Sequence, residues 1–189
     1  MPREFEKKYE ASPRELAAIR ERFGSFTEIA METAYFDTPE GALRKRHWML
    51  RLRLENGKAV CTLKTPLPDG SRQEWEVENP SLDAAVLELC KLGGPRELLS
   101  LTGLQKVCAA RFTRLAALLS LPACTVELAL DQGVFLGGGR EQPFSELEVE
   151  LKQGSEEAAA AFAAELAREY GLREEPKSKV QRALALAGL

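Results

Sequence analysis

The chain has one histidine, His47, and four cysteines, Cys61, Cys90, Cys108 and Cys124, none of them in a CxxC pair. A single imidazole excludes a multi-histidine metal centre. Thiols so far apart fit neither a zinc site nor a secreted disulfide framework, and read as reduced side chains in the core of a cytoplasmic protein. No run approaches the roughly 18–20 apolar residues of a membrane span, so no membrane partner is expected. The opening residues are charged from Arg3 onward and lack the apolar stretch of a secretory leader. Neither GxxxxGKS/T nor GxGxxG occurs, which excludes those two phosphate-cradling loops. Aromatic residues are 7% of the chain, and no base-reading pocket is evident. A net charge of −3 offers no broad basic surface, and no nucleic-acid partner is expected. What the sequence has in quantity is charge of both signs, 29% of residues, so its placement carries the information.

Ser12-Pro13-Arg14-Glu15 reads as a helix start, with Leu16, Ile19 and Phe23 as its apolar stripe and Gly24 as its end. Residues 27–39 read as a strand closing in the Asp37-Thr38-Pro39 turn. Three strands follow, broken by turns at Asn56-Gly57 and Pro68-Asp69-Gly70. Residues 81–92 and about 95–119 show apolar positions at helical spacing. A last antiparallel pair flanks Gly137-Gly138-Gly139; then Ser155 caps an alanine-rich helix stopped by Gly171, and a short helix begins near Ser178. No linker or repeat divides residues 1–189, so a single α+β domain is expected. A homodimer is possible through its helical layer.

The strands share a pattern. With a period of two, Glu4, Glu6 and Lys8 lie opposite Phe5 and Lys7, while Arg51 and Arg53 lie opposite Leu50, Leu52 and Leu54. Lys64 is in phase with Thr62. Glu74 and Glu76 oppose Trp75, Glu127 and Asp131 oppose Leu128 and Leu130, and Glu146 and Glu148 oppose Leu147 and Val149. One wet face per strand is ordinary. Signs segregated by strand are not, because like charges repel unless something cancels them. A sheet closed on itself, ionic side inward and helices outside, accounts for the segregation if it encloses a charged ligand. Arg51, Arg53 and Lys64 suit phosphate oxygens, with Arg111, Arg114, Lys177 and Lys179 as additions from helical or loop segments. Paired glutamates without histidine or cysteine suit Mg²⁺ or Mn²⁺. Cations together with a carboxylate-held metal suit polyphosphate chemistry.

In chain order, Glu4-Phe5-Glu6-Lys7-Lys8, Tyr35-Phe36-Asp37-Thr38-Pro39, Leu50 to Arg53, Thr62 to Lys64, Arg72-x-Glu74-x-Glu76, Glu146-x-Glu148 and Ser178-Lys179 resemble the motifs of the CYTH, or triphosphate tunnel metalloenzyme, superfamily. The resemblance covers nearly the whole chain. It implies a closed eight-stranded antiparallel β-barrel, a tunnel with helices packed outside. It further implies that Arg51, Arg53, Lys64, Arg111 and Lys179 grip a small-molecule triphosphate. Glu146 and Glu148 would hold Mg²⁺ or Mn²⁺, with Glu4 and Glu6 contributing to a metal and acting on the attacking water. Lys8 would bind phosphate or act at the leaving group. Glu127 and Asp131 are expected to face inward, Asp131 holding a basic residue or joining the metal shell. Trp48 is read as a ring packed under a helix, and His47 as a surface or mouth residue.

The expected activity is metal-dependent hydrolysis of inorganic triphosphate to pyrophosphate and phosphate inside the tunnel. Alternatives are a class IV-type adenylate cyclase, a thiamine triphosphatase needing an aromatic platform, and a non-catalytic polyphosphate or nucleotide sensor. Retention of every acidic motif argues against the sensor, since pure anion binding disfavours carboxylates.

Overall fold

The computed structural model describes residues 5–68 and 72–189, so Glu4 and the turn residues Asp69 and Gly70 lie outside the described residues. The elements are β1 (Glu6–Glu10), α1 (Pro13–Phe23), β2 (Thr27–Asp37), α2 (Ala42–Lys45), β3 (Met49–Glu55), β4 (Lys58–Pro66) and β5 (Arg72–Glu78). There follow α3 (Leu82–Lys91), a 3-10 turn (Arg96–Ser100), β6 (Gln105–Ser120), β7 (Cys124–Gly137), β8 (Arg140–Gly154), α4 (Glu156–Tyr170), β9 (Arg173–Glu174) and α5 (Lys179–Ala187).

Local chemistry explains most boundaries. The Ser12 N–H donates to the Glu15 carboxylate at 2.6 Å and the Glu15 N–H donates to the Ser12 hydroxyl at 3.3 Å, a reciprocal cap that satisfies two otherwise unpaired donors. Ser155 accepts the Ala158 N–H to start α4, and Gly171, left-handed at φ 65°, ends it. Between β3 and β4, Asn56 and Gly57 have φ of 49° and 85°, as a two-residue hairpin turn with matching twist requires, and Glu55 pairs with Lys58 across it.

Two expectations are corrected. Helical spacing over residues 95–119 gives way to a 3-10 turn and the 16-residue strand β6. Apolar residues there are dense enough to satisfy periods of both 3.6 and 2, and strand pairing decides between them. The closed eight-stranded barrel is also overturned. The sheet has nine antiparallel strands in the order β5-β4-β3-β2-β6-β7-β8-β1-β9, and it is open: among the described residues no pairing joins β5 to β9. Alternation tells which face of a strand is wet. Closure depends on tilt and stagger, which alternation does not encode. The outer edge of β1 is occupied by β9, with Tyr9 opposite Glu174 and Glu10 opposite Arg173, and the Glu175 N–H donates to the Lys8 carbonyl at 2.9 Å.

The chain forms two compact units interleaved in sequence. The first takes in the described residues to Ile29 with Phe112–Val134 and Gln142–Ser178. Its core joins Tyr9, Val126, Leu128, Leu130, Leu147 and Val149 of the strands to Leu16 and Ile19 of α1 and Ala159, Ala163 and Leu166 of α4. The second takes in Ala30–Arg111, Phe135–Glu141 and Lys179–Leu189. Its core joins Leu50, Cys61, Leu63 and Trp75 to Ala85, Val86 and Leu89 of α3. Each such leucine contributes about 1.5–3 kcal/mol by leaving water. Among the described residues no helix is long and apolar enough to cross a membrane.

Candidate functional site

In the first unit, β1 and β8 pair Glu6 with Glu150, Lys8 with Glu148 and Glu10 with Glu146. The alternate pairs, Lys7 with Val149 and Tyr9 with Leu147, fall on the other face, where Tyr9, Leu147 and Val149 enter the core. The burial that fixes this register therefore lines up the carboxylates opposite it. Lys8 Nζ lies 3.9 Å from Glu6 Oε1. Glu146 and Asp131 are fully buried and Glu148 nearly so, and one carboxylate oxygen from each lies within 4.8 Å of the others.

Arg114, expected on a helix or loop, extends from β6 into this group. Its Nε and one Nη donate to the two Asp131 oxygens at 2.8 and 2.7 Å, and the same Nη donates to Glu148 Oε2. Its other Nη lies 3.9 Å from Glu127, which Lys152 approaches at 3.7 Å. Burial works against the guanidinium charge. The Asp131 hydrogen bonds, and the charges of Asp131, Glu148 and Glu127, outweigh it and hold the proton more tightly than in a free arginine. Asp131 thus grips a basic residue, one of the two roles expected of it. The structure also shows why carboxylate alternation recurs along β7 and β8. The three buried acids form an all-oxygen donor set, which suits a hard divalent cation.

In the second unit, the register sets Tyr35, Arg51, Thr62 and Glu76 in one row across β2 to β5, with Thr33 and Arg53 in the next row and Lys64 beside Glu74. Arg51 donates from Nε to the Thr62 hydroxyl at 3.2 Å, which donates to Glu76 at 2.7 Å; its Nη lies 3.6 Å from Glu76 and 3.8 Å from Glu74. Lys64 meets Glu74 at 2.8 Å, and Arg53 meets the Thr33 hydroxyl at 3.3 Å and Glu55 at 3.4 Å. Segregation of sign by strand is therefore partly cancelled within the sheet, by acidic β5 lying next to basic β4. Burial pushes the Glu74 carboxyl up, further than the Lys64 hydrogen bond pulls it down.

Lys179 opens α5 and is buried; its charge, with those of Arg51 and Arg53, acts on the phenol of Tyr35. Burial dominates there and raises the phenol above its ordinary range. Tyr35 was legible only as part of a turn motif, although its phase with Arg51 was available from strand pairing. Arg111 and Lys177 are exposed; the Lys177 backbone N–H donates to Glu175. Trp48 packs half-buried on the second unit's core, and His47 is exposed with φ 56°. Cys61, Cys108 and Cys124 are buried and Cys90 half-buried.

A residue missed as a structural hub is Asp37. Fully buried at the end of β2, it accepts the backbone N–H groups of Thr38 and Leu43 at 2.8 Å and of Arg44 at 3.3 Å, and it pairs with Arg44 Nε at 3.0 Å. The signal was Asp followed by Thr-Pro and a glycine just before a short helix.

The family profile of the CYTH domain matches residues 2–184. The chain belongs to the CYTH family. Inorganic triphosphatase of Haemophilus influenzae is 29% identical over 195 residues, which take in 98% of this chain and 55% of the relative, so the chain spans about half the length of that curated protein. Among solved structures, a Hippeastrum candidate adenylyl cyclase with a dominant triphosphatase activity has a TM-score of 0.70 at 19% identity, covering 98% of this chain and 96% of its own. A candidate adenylate cyclase from Bacillus halodurans has a TM-score of 0.66 at 23% identity, covering 95% and 96%. These two establish a shared CYTH fold. CYTH proteins are in general metal-dependent, and the buried acids of this CYTH chain are of the type that binds such an ion.

Proposed function

We propose that this CYTH chain hydrolyses inorganic triphosphate, releasing phosphate and pyrophosphate. The observation that carries the reading is the buried Asp131–Glu146–Glu148 group, an all-oxygen donor set that suits a divalent cation. The name of the Haemophilus relative supports the same substrate class. Glu146 and Glu148, with Glu4 and Glu6, would hold Mg²⁺ or Mn²⁺, which supplies Lewis-acid polarisation of phosphoryl oxygens. Arg51, Arg53, Lys64 and Lys179, with the exposed Arg111, bind phosphate oxygens. Arg51 and Lys64 exchange their bonds to Glu76 and Glu74 for bonds to the ligand, which keeps each charge compensated. A water oxygen bonds to the terminal phosphorus and its proton passes to the Glu6 carboxylate. The bridging P–O bond breaks, and Lys8 neutralises the departing pyrophosphate oxygen. The residues 1–189 act as one functional domain in the cytoplasm.

The test is phosphate release from tripolyphosphate in Mg²⁺, in Mn²⁺ and in EDTA, with ATP and thiamine triphosphate in parallel and cyclic AMP assayed in the ATP sample. Metal-dependent release, fastest from tripolyphosphate, is expected. Cyclic AMP without phosphate release, or preference for thiamine triphosphate, overturns the substrate assignment; inactivity on all three overturns hydrolysis.

A further inference from the structure

We infer that Arg114 is a built-in competitor of the metal ion: it pairs with Asp131 and Glu148 when metal is scarce, and on binding of a divalent cation it releases Glu148 while it stays anchored on Asp131. The inference rests on the metal dependence proposed above. Arg114 bonds to its two carboxylates in different ways. With Asp131 it makes the side-on, two-point contact that uses both oxygens, at 2.8 and 2.7 Å, whereas Glu148 receives a single bond from an Nη already committed to Asp131. A two-point charged pair is the stronger and more directional contact, so the single bond is the one to give way. Asp131, with both oxygens engaged, serves as the anchor, and Glu146 and Glu148 remain as ligands.

Competition follows from the spacing. The oxygens of Asp131, Glu146 and Glu148 lie within 4.8 Å of one another, so a cation taken up among them sits within a few ångströms of the guanidinium. Like charges that close, in a group shielded from water, repel strongly. Removing the guanidinium removes that repulsion. Arg114 is therefore a positioning residue that sets metal affinity, and no direct contact with substrate is assigned to it.

The experiment is Mn²⁺ titration calorimetry on the full chain, wild type against Arg114→Met and Arg114→Gln, with thermal unfolding in EDTA and in Mn²⁺. Both neutral variants are expected to bind Mn²⁺ at least ten-fold more tightly than wild type, to melt lower in EDTA, and to gain more in Tm from Mn²⁺. Arg114→Gln keeps a polar donor for Asp131 and serves if Arg114→Met fails to fold. Arg114→Lys retains the charge and is expected near wild-type affinity. Equal or weaker Mn²⁺ binding in the neutral variants, tightening in Arg114→Lys as large as theirs, or no Mn²⁺ binding in any protein overturns the inference. Tripolyphosphate hydrolysis by the wild type, assayed alongside, separates the two readings: metal-dependent turnover with unchanged affinities sinks only the competition, while tighter variants without turnover sink only the proposed substrate.

Discussion

Arg53 sits one strand step from Arg51 but is held differently: it touches a threonine hydroxyl and Glu55, whereas Arg51 lies between two carboxylates of β5. The effect of Arg53→Ala should fall on the ligand. Steady-state kinetics with tripolyphosphate should show KM raised and kcat lowered together, for a loss of roughly ten- to a hundred-fold in kcat/KM, because the chain of phosphates is both less held and less aligned. Kinetics equal to wild type would remove Arg53 from the binding set. The thiols give a second residue-scale expectation. Burial pushes Cys61 up to about 11, against the opposing pull of the Arg51 charge, and pushes Cys108 up to about 12. In the unfolded chain these thiols ionise near their ordinary value, so the folded state binds more protons as the pH climbs past 9. Their contribution to stability is complete below that pH and is lost between about 9 and 11 for Cys61. Denaturant unfolding at pH 8 and pH 10.5 should show a fall that shrinks in Cys61→Ala; an equal fall in both proteins would discount the thiol.

At the scale of elements, α2 illustrates a helix held by side chains of the turn before it, Asp37 and Thr38, whose hydroxyl accepts the Ala42 N–H at 3.1 Å. Four residues cannot nucleate a helix in water, and its N-cap, Gly41, offers no side-chain acceptor. Asp37 supplies acceptors for three backbone donors and for Arg44. Asp37→Ala leaves those backbone donors without their carboxylate and should cost about 1–3 kcal/mol in equilibrium denaturation, the range for buried polar groups left unsatisfied. A loss under 1 kcal/mol would mean that the segment repacks without it. Elements whose start is written in a capping residue, such as Ser12 and Ser155, were legible in the sequence. β6 was not, because its alanines and leucines are compatible with either period. β9, only two residues long, has no period at all.

At the scale of the whole molecule, a ligand that binds only the folded chain must stabilise it. Tripolyphosphate with Mg²⁺ at a hundred times Kd should add about 2.7 kcal/mol, which for a chain of this size is a rise in Tm of roughly 5–10 °C. EDTA should reduce that gain, and a Tm indifferent to both additions would leave the charged faces without a phosphate ligand. The charges themselves were readable from order and spacing alone. Period-two alternation determined which face of each strand carries Glu6, Arg51, Arg53, Lys64, Glu74, Glu146 and Glu148, since burying the other face fixes the register and leaves these no choice. Tertiary structure decided what alternation cannot express: that β5 pairs beside β4 so that Glu74 and Glu76 meet Lys64 and Arg51, and that Arg114 from β6 reaches Asp131 and Glu148. It also decided that the sheet stays open with β9 on the edge of β1. Pairing partners, tilt and stagger are set by contacts distant in sequence, and no local pattern records them.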